Sequence, residues 1–281
     1  MSDSLTASQS QLRRVRRLAS QRSERWGESA FVMEGPDLIE AALDAGSEID
    51  EIFVEGSALN GRLLSLVERA RQRGLPIFNV TGTQLAQMAD AGTPQPILAT
   101  APLTPTGTHL IPDNGVVVVA HDVRDPGNLG TIIRSADAAG AAAVIVSGTS
   151  VDLFNPKVVR ATAGSLFHVP VCVVSTFDDV AREVHRRGGS LIASVVRGGE
   201  PYRQATYEGL AAVVLGNEAH GLADAEVSRC DRQVSITMGG RAESLNVGIA
   251  GALLLFAACE SRRGADNASA SLSIKAHERN I

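Results

Sequence analysis

Arg232–Glu260 reads RQVSITMGGRAESLNVGIAGALLLFAACE. Val234, Ile236 and Met238 alternate with Ser235 and Thr237, the period of a short strand with one buried face. Gly239-Gly240 then turns the chain, and Ser244-Leu245-Asn246 arrives at the start of an apolar helix, Val247 to Cys259. A helix start carries unpaired backbone N–H groups and a partial positive charge, so Ser244 and Asn246 can cap it, contact a ligand, or do both. Taken alone, the stretch reads more readily as a capped core helix after a loop. Two segments upstream have the same look, and they decide the fold.

Gly115–Ala120, Ala143–Ser147, Val169–Val174, Leu191–Val195 and Ala211–Leu215 are short apolar runs rich in β-branched residues, with helical patterns between most of them. That order predicts an α/β fold with a mainly parallel sheet covered on both faces. Ligands of such sheets sit beyond the carboxyl ends of the strands. After the first run comes HDVRDPGNLGTIIRSADAAGA, where Asp125-Pro126-Gly127-Asn128 is a turn and Leu129–Ala139 a helix with Ile132, Ile133 and Ala136 inward. Asn128 is expected at the entrance of that helix, and Arg134 nearly two turns on, where a surface ion pair with Asp137 is the plain alternative to a functional role. After Ala211–Leu215 comes LGNEAHGLADAEV. Here Gly216 permits a tight turn or a close ligand, Glu218 stands beside it, and Gly221 allows a second turn before a helix capped near Asp224. An ordinary strand-turn-helix would read the same.

Residues 11–25, QLRRVRRLASQRSER, place Arg13, Arg14, Arg16, Arg17, Arg22 and Arg25 on a helical pattern with Leu12, Val15 and Leu18 as its apolar spacing. This is either a solvated face with an anchoring stripe or a phosphate-binding face. A compact α/β unit follows: helix Pro36–Ala45, strand Glu51–Glu55, helix Gly61–Arg73, strand Pro76–Val80 and helix Thr83–Ala89, ending near Ala101. PLTPTGTHLIPDN, Pro102–Asn114, reads as a connection. The expected domains are therefore 1–101, a linker 102–114, a second domain 115–260, and a polar tail 261–281 without regular structure.

With 281 residues and 44% hydrophobic content the chain can bury a real core. No apolar run reaches the ~20 residues of a membrane span. The arginines near the N-terminus have no apolar stretch behind them, so no secretory signal is expected. Cys172, Cys230 and Cys259 are odd in number and far apart, and the histidines lack metal-ligand spacing, so a cytoplasmic protein with reduced thiols and no metal is expected. A net charge of −5 argues against a general polycation. Lys157 and Lys275 are the only lysines; the arginine bias suits phosphate binding, and a GC-rich genome would also produce it.

Three segments together resemble the SpoU-type (TrmH-type) RNA ribose 2'-O-methyltransferases of the SPOUT superfamily. They are Asn128-Leu129-Gly130-Thr131-Ile132-Ile133-Arg134-Ser135-Ala136, Leu215-Gly216-Asn217-Glu218-Ala219-His220-Gly221-Leu222, and Ile236-Thr237-Met238 followed by Ser244-Leu245-Asn246-Val247. Asn155–Gly164 is similar to the family's linking string, and Phe31–Pro36 resembles the start of the ribosomal-protein-like substrate-binding domain often fused ahead of the catalytic one. The resemblance runs from about Leu12 to Glu260; Thr237 stands where the family usually has proline.

The resemblance implies a small N-terminal α/β RNA-binding domain and a C-terminal knotted α/β methyltransferase domain that binds S-adenosylmethionine and works as a homodimer. It implies cofactor contacts at Leu215, Gly216, Asn217, Ile236, Met238, Ser244, Leu245 and Val247, with Ser194 a further candidate. Arg134 would be the central catalytic residue, with Asn128, Glu218, Ser244 and Asn246 orienting it, the ribose and the cofactor. Lys157 and Arg160, on the helix after Pro156, are candidate RNA-phosphate contacts or a solvated face, and Arg13, Arg16 and Arg17 are the RNA contacts if the N-terminal helix is a phosphate-binding face, alongside Arg134. Dimerisation has support of its own, because helix Val247–Cys259 is apolar nearly all round and needs burial on more than one side. The expected activity is methylation of a ribose 2'-hydroxyl in ribosomal RNA. A tRNA substrate and a non-catalytic RNA-binding protein on the same fold are the alternatives. An ordinary nucleotide-binding enzyme would need a GxGxxG or Walker loop, which the sequence lacks.

Overall fold

The computed structural model describes residues 5–89 and 94–278, with side chains as far as Gly264. The chain packs as two units, one of residues up to Pro105 with Val151–His168, the other of Thr106–Ser150 with Val169 onward.

The first unit opens with β1 (Leu5–Thr6) and two helices, α1 (Gln9–Ser20) and α2 (Arg22–Glu28). The expected single basic helix breaks at Gln21, whose backbone is extended (φ −122°, ψ 121°). Ser8 and Gln11 form a reciprocal capping box at the start of α1. Leu12, Val15 and Leu18 are buried in one cluster with Phe53, Phe78, Met88 and Leu98, so the apolar spacing is an anchor. Each such side chain contributes ~1.5–3 kcal/mol when fully buried. The chain continues through β2 (Ala30–Glu34), α3 (Pro36–Asp44), β3 (Glu51–Glu55), α4 (Gly61–Gln72), β4 (Ile77–Val80), α5 (Gly82–Met88) and β5 (Ile97–Pro102). The sheet order is β1-β4-β3-β5-β2, with β5 antiparallel to both its neighbours and the other pairs parallel.

The second unit contains β6 (Gly115–His121), α6 (Pro126–Ala139) and β7 (Ala143–Ser147); the chain then enters the first unit for α7 (Pro156–Ala161). It resumes with β8 (Val171–Val174), α8 (Phe177–Arg186), β9 (Ser190–Ser194), β10 (Glu200–Pro201), β11 (Leu210–Leu215), α9 (Asp224–Val227), β12 (Arg232–Ser235) and α10 (Val247–Glu278). Its seven strands are all parallel, in the order β10-β12-β9-β11-β6-β7-β8. The central strands β6 and β11 are buried almost throughout, which is why they read as unbroken apolar runs rather than alternating ones.

Four details differ from the sequence reading. A continuous 115–260 block is interrupted, because residues 151–168 pack in the first unit: Phe154 meets Trp26 and Phe31, and buried Asp152 pairs with buried Arg25 at 2.6 Å. β12 ends at Ser235, leaving Ile236 and Met238 in an irregular segment that runs to Asn246. α6 begins at Pro126, so Asn128 lies inside its first turn rather than ahead of it. Finally, the backbone stays helical to Glu278. Ala265, Ala268, Ala270 and Ala276 favour helix more strongly than the polar composition of that segment opposes it.

α10 packs closely on α6. A Cβ at Gly248 would lie 3.1 Å from Thr131, and one at Gly251 would lie 2.7 Å from Leu215. Leu254, Leu255, Ala258 and Cys259 are buried, while Ile249, Leu253 and Phe256 form an exposed apolar stripe at helical spacing.

Candidate active site

Loops leaving the carboxyl ends of β9, β11 and β12 enclose a cavity of about 220 Å³. Its lining contains Ser194 and Val195 after β9, Leu215, Gly216 and Asn217 after β11, and Ile236, Met238, Ser244, Leu245 and Val247 from the segment after β12. Every residue expected to touch a cofactor therefore faces one space. Apolar side chains predominate, with the Ser194 and Ser244 hydroxyls, the Asn217 amide, the Glu218 carboxylate and the His220 ring among them, a lining suited to a small molecule that has an apolar part and polar ends.

The β11 loop has a defined shape for local reasons. A Cβ on Gly216 would fall 2.4 Å from the Gly221 backbone, so only glycine lets the two strands of this turn touch. The turn closes through Asn217 N–H to Gly221 O (3.0 Å) and Gly221 N–H to Asn217 O (2.9 Å). The Asn217 side chain adds two fixings: its Oδ1 accepts from Ala219 and His220 N–H, and its Nδ2 donates to Asp122 O at 3.0 Å. Asp122 is in the left-handed region (φ 55°), held there by Thr149, whose N–H and hydroxyl both donate to its Oδ1. Burial pushes the Asp122 carboxyl up, but the Thr149 hydrogen bonds outweigh it and keep it below the usual carboxylate range.

Glu218 ties this loop to α6. Its carboxylate accepts from Asp125 N–H (2.9 Å), Arg124 N–H (3.2 Å) and Asn128 Nδ2 (3.1 Å). Asn128 Oδ1 in turn accepts from Asn246 Nδ2 at 2.8 Å. Asn246 uses its own Oδ1 to cap α10, accepting from Gly248 N–H (2.9 Å) and Ile249 N–H (3.2 Å). Three segments far apart in sequence are thus joined by one hydrogen-bonded chain, Glu218-Asn128-Asn246. Partial burial raises the proton affinity of Glu218, but the N–H groups aimed at it win and its pKa is lowered. Glu218 is consequently a poor proton acceptor near neutrality and a good anchor.

Arg134 is exposed on α6, outside the cavity lining, and has no hydrogen-bond or ion-pair partner among the described residues. The RNA-contact candidates of the first unit divide. Arg17 is paired with Glu24 (2.9 Å) and Glu28 (3.7 Å), and Arg160 with the buried Glu34. Arg13 and Arg16 are exposed without such pairs among the described residues, and Lys157 is exposed in the first turn of α7. Sequence reading missed Asp122 and the work of the Asn217 side chain, although an Asn just after a strand end with a glycine four residues on is a turn-forming signal. It also missed His121, buried between Ser147 Oγ and Glu226 Oε1 at 2.9 Å each, which fixes α9 behind the loop. Among the described residues no His/Cys/Asp/Glu group could hold a metal, and no helix is long and apolar enough to cross a membrane.

Residues 115–256 match the SpoU rRNA Methylase family, and residues 32–105 match the RNA 2'-O ribose methyltransferase substrate-binding family. This chain belongs to the SpoU rRNA methylase family. The 23S rRNA guanosine 2'-O-methyltransferase RlmP of Bacillus subtilis is 31% identical over 84% of this chain and 90% of its own. The crystal structure of the SpoU methyltransferase AviRb of Streptomyces viridochromogenes with AdoMet superposes with a TM-score of 0.82, at 27% identity over 91% of this chain and 98% of that one. The AdoMet-bound rRNA methyltransferase of Sinorhizobium meliloti has a TM-score of 0.80 at 29% identity, over 93% and 98%. In this SpoU chain the second and third family segments line the cavity, and the first is joined to them through the hydrogen bonds of Asn128.

Proposed function

We propose that this SpoU chain transfers a methyl group from S-adenosylmethionine to a ribose 2'-hydroxyl of 23S ribosomal RNA. The observation that carries the reading is that two family segments, 215–222 and 236–247, line one cavity, and the third is tied to both through Asn128, which bonds Glu218 and Asn246. The relatives' names support ribosomal RNA as the substrate.

S-adenosylmethionine, when bound, supplies an electrophilic methyl group for in-line displacement. Leu215, Ile236, Met238, Leu245 and Val247 offer it apolar walls, and Ser194, Asn217 and Ser244 polar contacts. The chain must then place the hydroxyl and stabilise the charge its oxygen develops as the proton passes to solvent water. Arginine holds its proton too tightly to act as a base. Arg134 therefore clamps a phosphate next to the target ribose and stabilises the developing alkoxide, and with no partner among the described residues its guanidinium is available. Asn128, Glu218 and Asn246 hold α6 and α10 in the register this requires, and Ser244 orients ribose or cofactor. Arg13 and Arg16 add phosphate contacts from the N-terminal unit.

The enzyme works in the cytoplasm as a homodimer through the exposed stripe Ile249, Leu253 and Phe256, which a second copy would bury. Phe256→Asp should convert a dimer to a monomer in sedimentation analysis; a wild-type monomer removes the interface.

Tritiated methyl transfer into separated ribosomal RNA and tRNA lacking modification tests the function, with Arg134→Ala alongside. Label should enter ribosomal RNA, and the variant should lose on the order of 10²–10³ in turnover while binding the cofactor as before. Label confined to tRNA would overturn the substrate, and undiminished transfer by Arg134→Ala would remove that residue from the mechanism.

A further inference from the structure

The arginines of the second unit fall into two groups. Those away from the cavity are held: Arg182 by Asp179 (2.8 Å), Arg229 by Asp178 (2.7 Å), Arg186 and Arg187 by Glu183, and Arg232 by Glu200. Arg262 and Arg263 donate to backbone carbonyls, and Arg203 to the Tyr202 hydroxyl. Arg197 and Arg241 have no partner of this kind among the described residues, and both are exposed. Each sits on a loop that walls the cavity. Arg197 follows Val195 and Val196, and Arg241 lies between Met238 and Ser244.

This distribution bears on binding. A protein of net charge −5 that handles a polyanion must concentrate positive charge where the polyanion docks. Elsewhere in this unit Arg182, Arg186, Arg187, Arg229 and Arg232 have their charge cancelled locally by carboxylates, Arg124, Arg203, Arg262 and Arg263 are held by hydroxyl or carbonyl oxygens, and Arg134 on α6 is the other arginine without a partner among the described residues. At these two loops the charge is left uncancelled; beside Arg241, Gly239 and Gly240 have open space around them, whereas Gly199 beyond Arg197 packs against the backbone of Val234. A guanidinium fork matches a phosphate bidentately.

We propose that Arg197 and Arg241 are substrate-binding residues that grip backbone phosphates of the RNA on either side of the nucleotide presented to the cavity. The proposal rests on reading that cavity as an RNA methyltransferase site, and it names the residues that position the strand there.

The test uses the full-length enzyme and an unmodified 23S rRNA transcript, with RNA binding and steady-state transfer measured from 50 to 200 mM salt. Arg197→Ala/Arg241→Ala should raise the KM for RNA roughly tenfold or more. It should flatten the dependence of log affinity on log salt by about 1.4, the slope of two single-strand phosphate contacts. Turnover should stay within about twofold and cofactor affinity should not change. The double lysine variant should recover most of the salt slope, since charge is retained. Arg182→Ala, which removes a paired arginine, should change neither KM nor slope.

Wild-type KM and slope in the double alanine variant would overturn the proposal, as would a loss of cofactor affinity that accounts for the whole effect. If the wild-type protein transfers no methyl group but binds RNA with an arginine-dependent slope, the enzymatic reading fails and the phosphate grip stands.

Discussion

Arginine is used differently in the N-terminal unit and at the cavity loops. In the first unit Arg25 is buried against Asp152, with Trp26 Nε1 on the other carboxylate oxygen at 2.9 Å, and Arg160 neutralises the buried carboxylate of Glu34. Arg62 and Arg69 are bound to the acids of α3. At the cavity, Arg134, Arg197 and Arg241 face solvent with nothing to pair them among the described residues. The difference teaches that a basic residue's place in a sequence pattern does not determine whether its charge is available. Partners distant in sequence decide that, 25 residues away for Arg62 and more than a hundred for Arg25 and Arg160, and Arg134, Arg197 and Arg241 have none among the described residues.

The strongest way to break the comparison is to remove a partner in the first unit. Asp152→Ala leaves Arg25 buried without its counter-charge, and breaking a buried pair from one side costs ~3–5 kcal/mol. The expected outcome is a large drop in melting temperature with methyl transfer per folded molecule retained. A stable variant would mean that Arg25 is not held by Asp152, and a stable but inactive one that the pair belongs to the site.

Glu218→Gln should give a smaller effect and sharpen the other side of the comparison. Glu218 is exposed and solvent-screened, so its anchoring is worth about 1 kcal/mol, a melting shift of roughly 2–4 °C. Cofactor affinity should fall more noticeably than stability, because the loop that lines the cavity loses its tie to α6. Folding holds this carboxyl below its ordinary pKa. The stabilisation is therefore complete above the unfolded-state pKa and fades as pH falls through the lower folded-state value. Melting curves of wild type and variant should differ at pH 7 and converge in acid. Convergence at alkaline pH instead would contradict the assignment.

Much of the site was legible because its determinants are local. Unbroken apolar strands announce a parallel sheet, such sheets bind at their carboxyl ends, and the polar residues just after β11 and β12 are where the cavity lies. Gly216 was legible as a close approach, though the backbone it approaches, at Gly221, is its own turn. Contacts across long sequence separations were hidden. Nothing in PKVVRA marks Arg160 as the counter-charge of Glu34, 126 residues earlier, or the flanking 151–168 segment as part of the first unit. The same holds for Asn128, which reads as a turn residue; its place within α6 follows from Asp125 capping the helix, and its bond to Asn246 from the packing of α10 on α6.

Nucleoside analysis of ribosomal RNA after reaction with S-adenosylmethionine tests the central claim most directly. Digestion to nucleosides and mass spectrometry should find the added methyl on a ribose, as a single 2'-O-methylated nucleoside whose phosphodiester resists alkali. A methyl group on a base, or no methylated nucleoside from protein that binds the cofactor, would contradict the account.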